Sequence, residues 1–237
     1  MLAVKNAPTC YAAIRESSYP LFSSRSGPKT TLAGRLNSTV HKFLASLSSR
    51  IYSAPIGTPM ALKHTLFGGI TSATQDRNHS LYPLPTIDRS GARVDLSQYR
   101  GQLVLIVNTA SQCGFARQYD ALEVLHKKYA GRGLVVLGFP SNDFMGQEPD
   151  SDEQIEVKCR INHGVSFPLF PKASVKGPNK QSVFSALTTQ GPPDLRGEVR
   201  WNFEKFLLDR DGRLVGRWRS WVHPGWGIFE RAIVGLL

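Results

Sequence analysis

Two apolar runs stand out along the chain, LVLIV at residues 103–107 and GLVVLGF at 133–139. Neither alternates with polar residues, so each reads as a strand buried on both faces. Between them, QYDALEVLHKKYA at 118–130 places Tyr119, Leu122, Leu125 and Tyr129 on one helical face, and the following GRG stops it. A second helix is expected in SDEQIEVKCRIN, where Ser151 and Gln154 have the spacing of a capping box. Upstream, PLPTIDRSGARVDLSQYRG reads as two short strands around the turn residues 88–91. Downstream, the pattern predicts a helix near 180–189, a strand at 205–209, a turn at 209–212, a strand over RLVGRW and a last helix from about Gly227. Strands alternating with helices and closing on a hairpin predict an α/β domain with a central mixed β-sheet flanked by helices.

The pattern fails in the first third of the chain. Residues 1–78 hold nineteen Ser/Thr, and nine Lys/Arg against only Glu16 and Asp76, a balance of +7. Residues 79–237 hold twenty basic against sixteen acidic residues, a balance of +4. A segment so rich in hydroxyls and poor in acid cannot build a core, and its composition is that of a targeting extension, which leaves 79–237 as the folded domain. Within it, Leu36, Val40, Phe43, Leu44, Leu47 and Ile51 share one helical face, with Arg35, Lys42 and Arg50 available to the polar side. This basic amphipathic helix over 34–51 resembles a mitochondrial presequence, and RIYSA resembles a processing site with cleavage after Tyr52. A mitochondrial address is therefore expected. The alternatives are a plastid, or the cytoplasm if translation starts at Met60.

Charge and cysteine content narrow the function. The net +11 sits mostly on the extension, and the domain shows no basic stripe interleaved with aromatics, which argues against nucleic acid. No apolar run approaches the ~18–20 residues of a membrane span, so no stable insertion is expected. Cys10, Cys113 and Cys159 are too scattered for a disulfide scaffold, and no Cys/His cluster has zinc spacing, so neither a metal nor a bound cofactor is expected. What remains is isolated thiols. Cys113 follows a buried strand and precedes a helix, where unpaired N–H groups at the helix's positive end would favour the reactive thiolate. Ala110, Ser111 and Gly114 around it would leave the sulfur approachable. A packed strand-end cysteine remains the alternative on these grounds alone.

Five ordered stretches add a resemblance: VNTASQCGFARQY, LGFPSNDFMGQEP, GVSFPLF, VKGPN and RWNFEKFLLDRDG. Together they make the chain from about Leu81 onward similar to the glutathione peroxidase family, which has a thioredoxin-like fold. The resemblance implies a peroxidase that reduces hydrogen peroxide and organic or lipid hydroperoxides. Its catalytic group would be Cys113, Gln147, Trp201 and Asn202, in which uncharged donors steady the sulfur. It further implies that Cys159 is the resolving cysteine, forming a Cys113–Cys159 disulfide that a thioredoxin-like reductant reopens. A one-cysteine, glutathione-dependent peroxidase is the alternative, and a hydroperoxide sensor that relays oxidation to a partner protein is another. The thiol reductant is a co-substrate in each peroxidase reading. Cys159 shares the apolar face of its helix with Ile155, so that helix would have to unwind to bring the two Cα atoms within about 7 Å. The chain departs from many relatives at Ser141 and Asp143, where they carry Cys and Gln; Asp143 is expected near the site, opposing the thiolate. The short passage TTQGPPDLRGEVRWNF resembles monomeric relatives with open sites. A disulfide reductase is disfavoured because position 116, where a C-x-x-C partner would stand, is Ala. A non-catalytic binding module would be expected to lose the Cys, Gln, Trp, Asn set.

Overall fold

The computed structural model describes residues 68–70 and 79–237. The expected amphipathic helix at 34–51, the processing point after Tyr52, Met60 and Cys10 lie outside the described residues. The elements in order are β1 (Gly68–Ile70), β2 (Pro85–Ile87), β3 (Arg93–Asp95), β4 (Leu103–Thr109), α1 (Gln118–Tyr129), β5 (Leu134–Pro140), α2 (Asp152–His163), α3 (Ser182–Thr189), β6 (Lys205–Leu208), β7 (Leu214–Trp218) and α4 (Gly227–Val234). Short 3-10 turns follow β3 and α1, at Leu96–Tyr99 and Ala130–Arg132. Each strand and helix expected from the pattern between 85 and 237 is present. β1 was not expected: it lies in the stretch read as extension and pairs antiparallel with the edge of β7, Gly68 opposite Trp218.

The sheet runs β1-β7-β6-β4-β5. β4 and β5 are parallel, with Leu103 opposite Leu134 and Thr109 opposite Pro140, while β6 is antiparallel to β4 and forms a hairpin with β7. A central parallel pair joined through a helix and completed by an antiparallel hairpin is the thioredoxin-like arrangement. Every residue of β4 and of β5 is buried, as expected for runs without polar alternation.

Alternation along β4 divides the core between the two sheet faces. Leu103, Leu105 and Val107 point to one face, against Tyr119 and Leu122 of α1, Ile155 and Cys159 of α2, and Phe229 and Ile233 of α4. Val104 and Ile106 point to the other, against Val183, Phe184 and Leu187 of α3 and Leu81 and Leu84 from the chain entry. Each large side chain buried in this way contributes about 1.5–3 kcal/mol relative to exposure. Gly138 in β5 is needed for a close approach: a Cβ there would lie 2.5 Å from Leu169, whose segment bridges to Gly138. Among the described residues no helix is long and apolar enough to cross a membrane.

Candidate active site

β4 delivers the peroxidatic candidate. At its C-terminal end Thr109 leads through Ala110 into a run of turns, and Cys113 lies there with 6 % of its surface exposed. The α1 helix begins only at Gln118, so Cys113 is not in its first turn. The donor nearest in sequence is instead Phe115, whose backbone N–H points at the Cys113 sulfur from 3.5 Å. Cys113 itself donates its N–H to Ala110 O. Next to it, a Cβ added at exposed Gly114 would meet nothing within 4 Å, which leaves an open flank beside the thiol.

Gln147 and Asn202 are brought together. The Asn202 side-chain amide donates to Gln147 Oε1 at 3.0 Å, and Gln147 O accepts from the N–H of Gln112, the residue before Cys113, at 3.0 Å. The amide pair is thereby tied to the Cys113 loop. Asn202 is wholly buried, and its remaining amide oxygen has no hydrogen-bond partner among the described residues. Trp201 is half-buried and packs on both core clusters, including the one that holds Cys113; its ring lies 5.7 Å from that of Phe144. All four expected residues therefore lie around the end of β4.

Asn108 organises this end of the sheet. Its side chain donates to Trp201 O at 3.1 Å and accepts from Glu204 N at 3.0 Å, while its carbonyl accepts from Phe203 N at 2.6 Å. A fully buried Asn ending an otherwise apolar strand was a signal the sequence offered, because a buried amide demands partners. Glu148 was missed as well. Fully buried, it accepts from Ser111 N at 2.7 Å and Ser111 Oγ at 2.6 Å, two residues before Cys113, and its N–H donates to Asn142 Oδ1 at 2.8 Å. Burial pushes its carboxyl above the usual glutamate range, against the pull of the Ser111 hydrogen bonds. It adjoins Gln147 in GQEP, yet a lone acid in a loop reads as a solvated residue.

Asp143 holds a neighbouring loop. Its carboxylate accepts from Val175 N at 2.6 Å, Lys176 N at 3.1 Å and Ser174 Oγ at 3.0 Å, so it anchors the 174–176 loop.

Cys159 lies on α2, wholly buried, in the same core cluster as Cys113. Both are free thiols. Burial pushes the Cys159 thiol up to about 11, partly offset by the neighbouring Tyr119 hydroxyl and reinforced by the charge of Glu148. Tyr119 is itself fully buried, and desolvation holds its phenol well above the ordinary range. The Tyr119 hydroxyl has no hydrogen-bond partner among the described residues. The helix is secured at several points. Ser151 and Gln154 form the expected capping box, Lys158 pairs with Asp150 at 2.5 Å, Glu156 with Arg89 at 3.0 Å, and His163 meets Asp120 of α1 at 2.7 Å. Gly164 closes it at φ 62°, donating its N–H to Arg160 O.

A buried thiol, a backbone N–H aimed at its sulfur and an amide pair fixed to its loop suit nucleophilic thiol chemistry. Among the described residues no group of three or more His, Cys, Asp or Glu is placed to hold a metal ion.

Residues 81–188 match the family model described as glutathione peroxidase. The chain is 48 % identical over 147 residues to glutathione peroxidase-like peroxiredoxin 2 of Saccharomyces cerevisiae, covering 61 % of this chain and 90 % of that one. It is 43 % identical over 157 residues to hydroperoxy fatty acid reductase gpx1 of Synechocystis sp., covering 64 % and 93 %. Among solved structures, the crystal structure of Trgpx in apo form superposes with a TM-score of 0.54 at 35 % identity, over 67 % of this chain and 95 % of that one.

Proposed function

The chain belongs to the glutathione peroxidase family, and from that premise we propose a thiol peroxidase in which Cys113 reduces hydroperoxides and Cys159 resolves the product. The Cys113 thiolate attacks the terminal oxygen of the hydroperoxide: an S–O bond forms, the O–O bond breaks, and the departing alkoxide or hydroxide takes a proton to leave as alcohol or water. The sulfenic acid on Cys113 is then attacked by the Cys159 sulfur, which gives a disulfide and expels water. A dithiol protein such as thioredoxin restores both thiols by exchange, becoming a disulfide itself. No resident cofactor is needed in this reading.

The observation that carries the reading is the amide pair: Asn202 Nδ2 on Gln147 Oε1 at 3.0 Å, with Gln147 tied to the Cys113 loop. Uncharged donors held there can steady developing charge on sulfur or oxygen without placing a fixed charge beside the thiolate. Cys159 in the same core cluster supports the two-cysteine cycle, and its burial implies that α2 must open first. The short 190–200 passage supports a monomer with an accessible site. The composition of residues 1–78, of which 68–70 are described, supports delivery to the mitochondrion.

The test is steady-state consumption of hydrogen peroxide and of a phospholipid hydroperoxide with thioredoxin or glutathione as sole reductant. Turnover with thioredoxin that is lost in Cys159→Ser supports the proposal. Turnover with glutathione alone, indifferent to Cys159→Ser, moves the enzyme to the one-cysteine class. Rapid oxidation without turnover on either reductant identifies a sensor.

A further inference from the structure

The turn that presents Trp201 and Asn202 is under strain. Phe203, directly after Asn202, has φ 63°, a conformation costly for a residue with a Cβ and stable only where the surroundings over-determine it. Asn108 supplies part of that constraint, through Trp201 O, Phe203 N and Glu204 N. None of these three bonds reaches the start of the turn at Arg200. That end is held by Glu204, whose Oε1 accepts from Arg200 N at 2.8 Å. The side chain thereby reaches back four positions and closes the turn over the two site residues.

Glu204 is wholly buried, and a carboxylate out of water needs compensation. Two guanidinium groups provide it. Arg217 of β7, itself buried, donates to Glu204 Oε2 from Nε at 3.0 Å and from Nη2 at 2.7 Å. Arg219 Nη1 donates to both carboxylate oxygens, at 3.2 and 3.1 Å. The other donors of Arg217 go to backbone: Nη1 to Leu195 O at 2.9 Å and Gly197 O at 2.7 Å, and Nη2 to Glu198 O at 2.9 Å. The guanidinium therefore fixes the chain entering the turn, and the carboxylate it balances fixes the turn itself.

We propose that Glu204 is a positioning residue for the peroxidase reaction: by closing the turn on Arg200 N, with Arg217 and Arg219 balancing its charge, it holds the Asn202 amide on Gln147 beside the Cys113 loop. The assignment rests on the peroxidase reading and deepens it. A carboxylate one methylene shorter cannot reach Arg200 N and both guanidinium groups at once. The strained turn then relaxes and the Asn202 donor leaves its place, and small displacements of such groups are costly in rate.

The test is a double-mutant cycle on the second-order rate at which hydrogen peroxide oxidises Cys113 in the reduced protein, measured by stopped flow. Its four members are wild type, Glu204→Asp, Asn202→Ala and the double variant. Glu204→Asp should slow oxidation by about fivefold alone, but by less than about twofold in the Asn202→Ala background, where no amide is left to position. A carboxylate that serves only the fold would slow both backgrounds by the same factor. That result, or an unslowed Glu204→Asp, would overturn the assignment while the peroxidase reading stands. A cooperative melting transition above the assay temperature identifies folded variants. If Glu204→Asp does not fold, Arg219→Gln takes its place in the cycle, because it removes one guanidinium, 11 % exposed, from the same carboxylate. Its slowing should be about twofold alone and absent with Asn202→Ala, and equal slowing in both backgrounds, or none in either, would overturn the assignment. A wild-type chain whose Cys113 is not oxidised by hydrogen peroxide would overturn both readings.

Discussion

Removing the hydroxyl of Ser151 should accelerate one chemical step. Ser151 caps α2: its Oγ accepts from Gln154 N at 3.4 Å, and its own N–H donates to Gln154 Oε1 at 3.0 Å. Replacing such a cap with alanine costs a helix about 0.5–2 kcal/mol, and the long 3.4 Å bond places this one toward the lower end, about 0.5–1 kcal/mol. Ser151 is exposed and touches neither cysteine, so the loss falls on the closed helix alone. If Cys159 reaches Cys113 only after α2 opens in a rapid equilibrium, the open fraction rises by about two- to fivefold, and disulfide formation rises with it. Oxidation of Cys113 should not change. Remaining ties limit the effect, since Lys172 N still donates to Asp152 Oδ1 at 2.7 Å and Arg89 still holds Glu156 at 3.0 Å. The assay mixes reduced Ser151→Ala with one equivalent of peroxide, follows tryptophan fluorescence, and assigns the two phases by acid quench and mass spectrometry. Ser151→Asp, which keeps a capping oxygen, should return the wild-type rate. Disulfide formation unchanged in Ser151→Ala, although hydrogen exchange shows amides 152–162 less protected, would refute opening of α2 as the controlling event.

Glu148→Gln should stabilise the fold at pH 7. Burial raises the folded carboxyl above its unfolded value, so deprotonation costs the native state, and this cost is lifted by an amide that still accepts from Ser111 N; the gap in melting temperature over wild type should shrink as pH falls below the ordinary glutamate range. Cys159 contributes in the alkaline range: with its thiol raised from 9.0 to about 11, its stabilisation is complete below pH 9 and lost by about pH 11. Urea unfolding of reduced wild type against Cys159→Ser should show the stability difference falling by about 2 kcal/mol across that window, and a difference independent of pH would contradict the burial of the thiol. Asn202→Ala strips Gln147 Oε1 of its donor, and sulfenic acid formation in single-turnover assays should slow by on the order of tenfold or more; an unchanged rate would make the pair structural.

The parts of the fold legible in the sequence were those set by local pattern. β4 and β5 were readable because runs buried on both faces have no competing polar signal, and α2 because S-x-x-Q names its own first turn. β1 was not readable: GGI has neither length nor alternation, and its strand state comes from the edge that β7 offers. In the site, Cys113, Gln147, Trp201 and Asn202 were named through ordered motifs, but their mutual arrangement depends on contacts distant in sequence. Asn108 reaches Trp201 across 93 positions, and Glu148 reaches Ser111 across 37. The helix-end effect expected at Cys113 was replaced by the single N–H of Phe115, because the chain turns several times before α1 begins. The partners of Asp143 were hidden for a related reason: its own stretch of sequence did not reveal that the 174–176 loop would claim its carboxylate.

The central claim is that Cys113 is the atom peroxide strikes and Cys159 the thiol that answers it. It is tested most directly by treating the reduced domain with one equivalent of hydrogen peroxide, quenching in acid at intervals, and mapping the cysteines by mass spectrometry. The account predicts a sulfenic acid on Cys113 first, then a Cys113–Cys159 disulfide, with no disulfide in Cys159→Ser and no oxidation of Cys159 in Cys113→Ser. Oxidation that begins at Cys159, or that proceeds at the wild-type rate in Cys113→Ser, would contradict it.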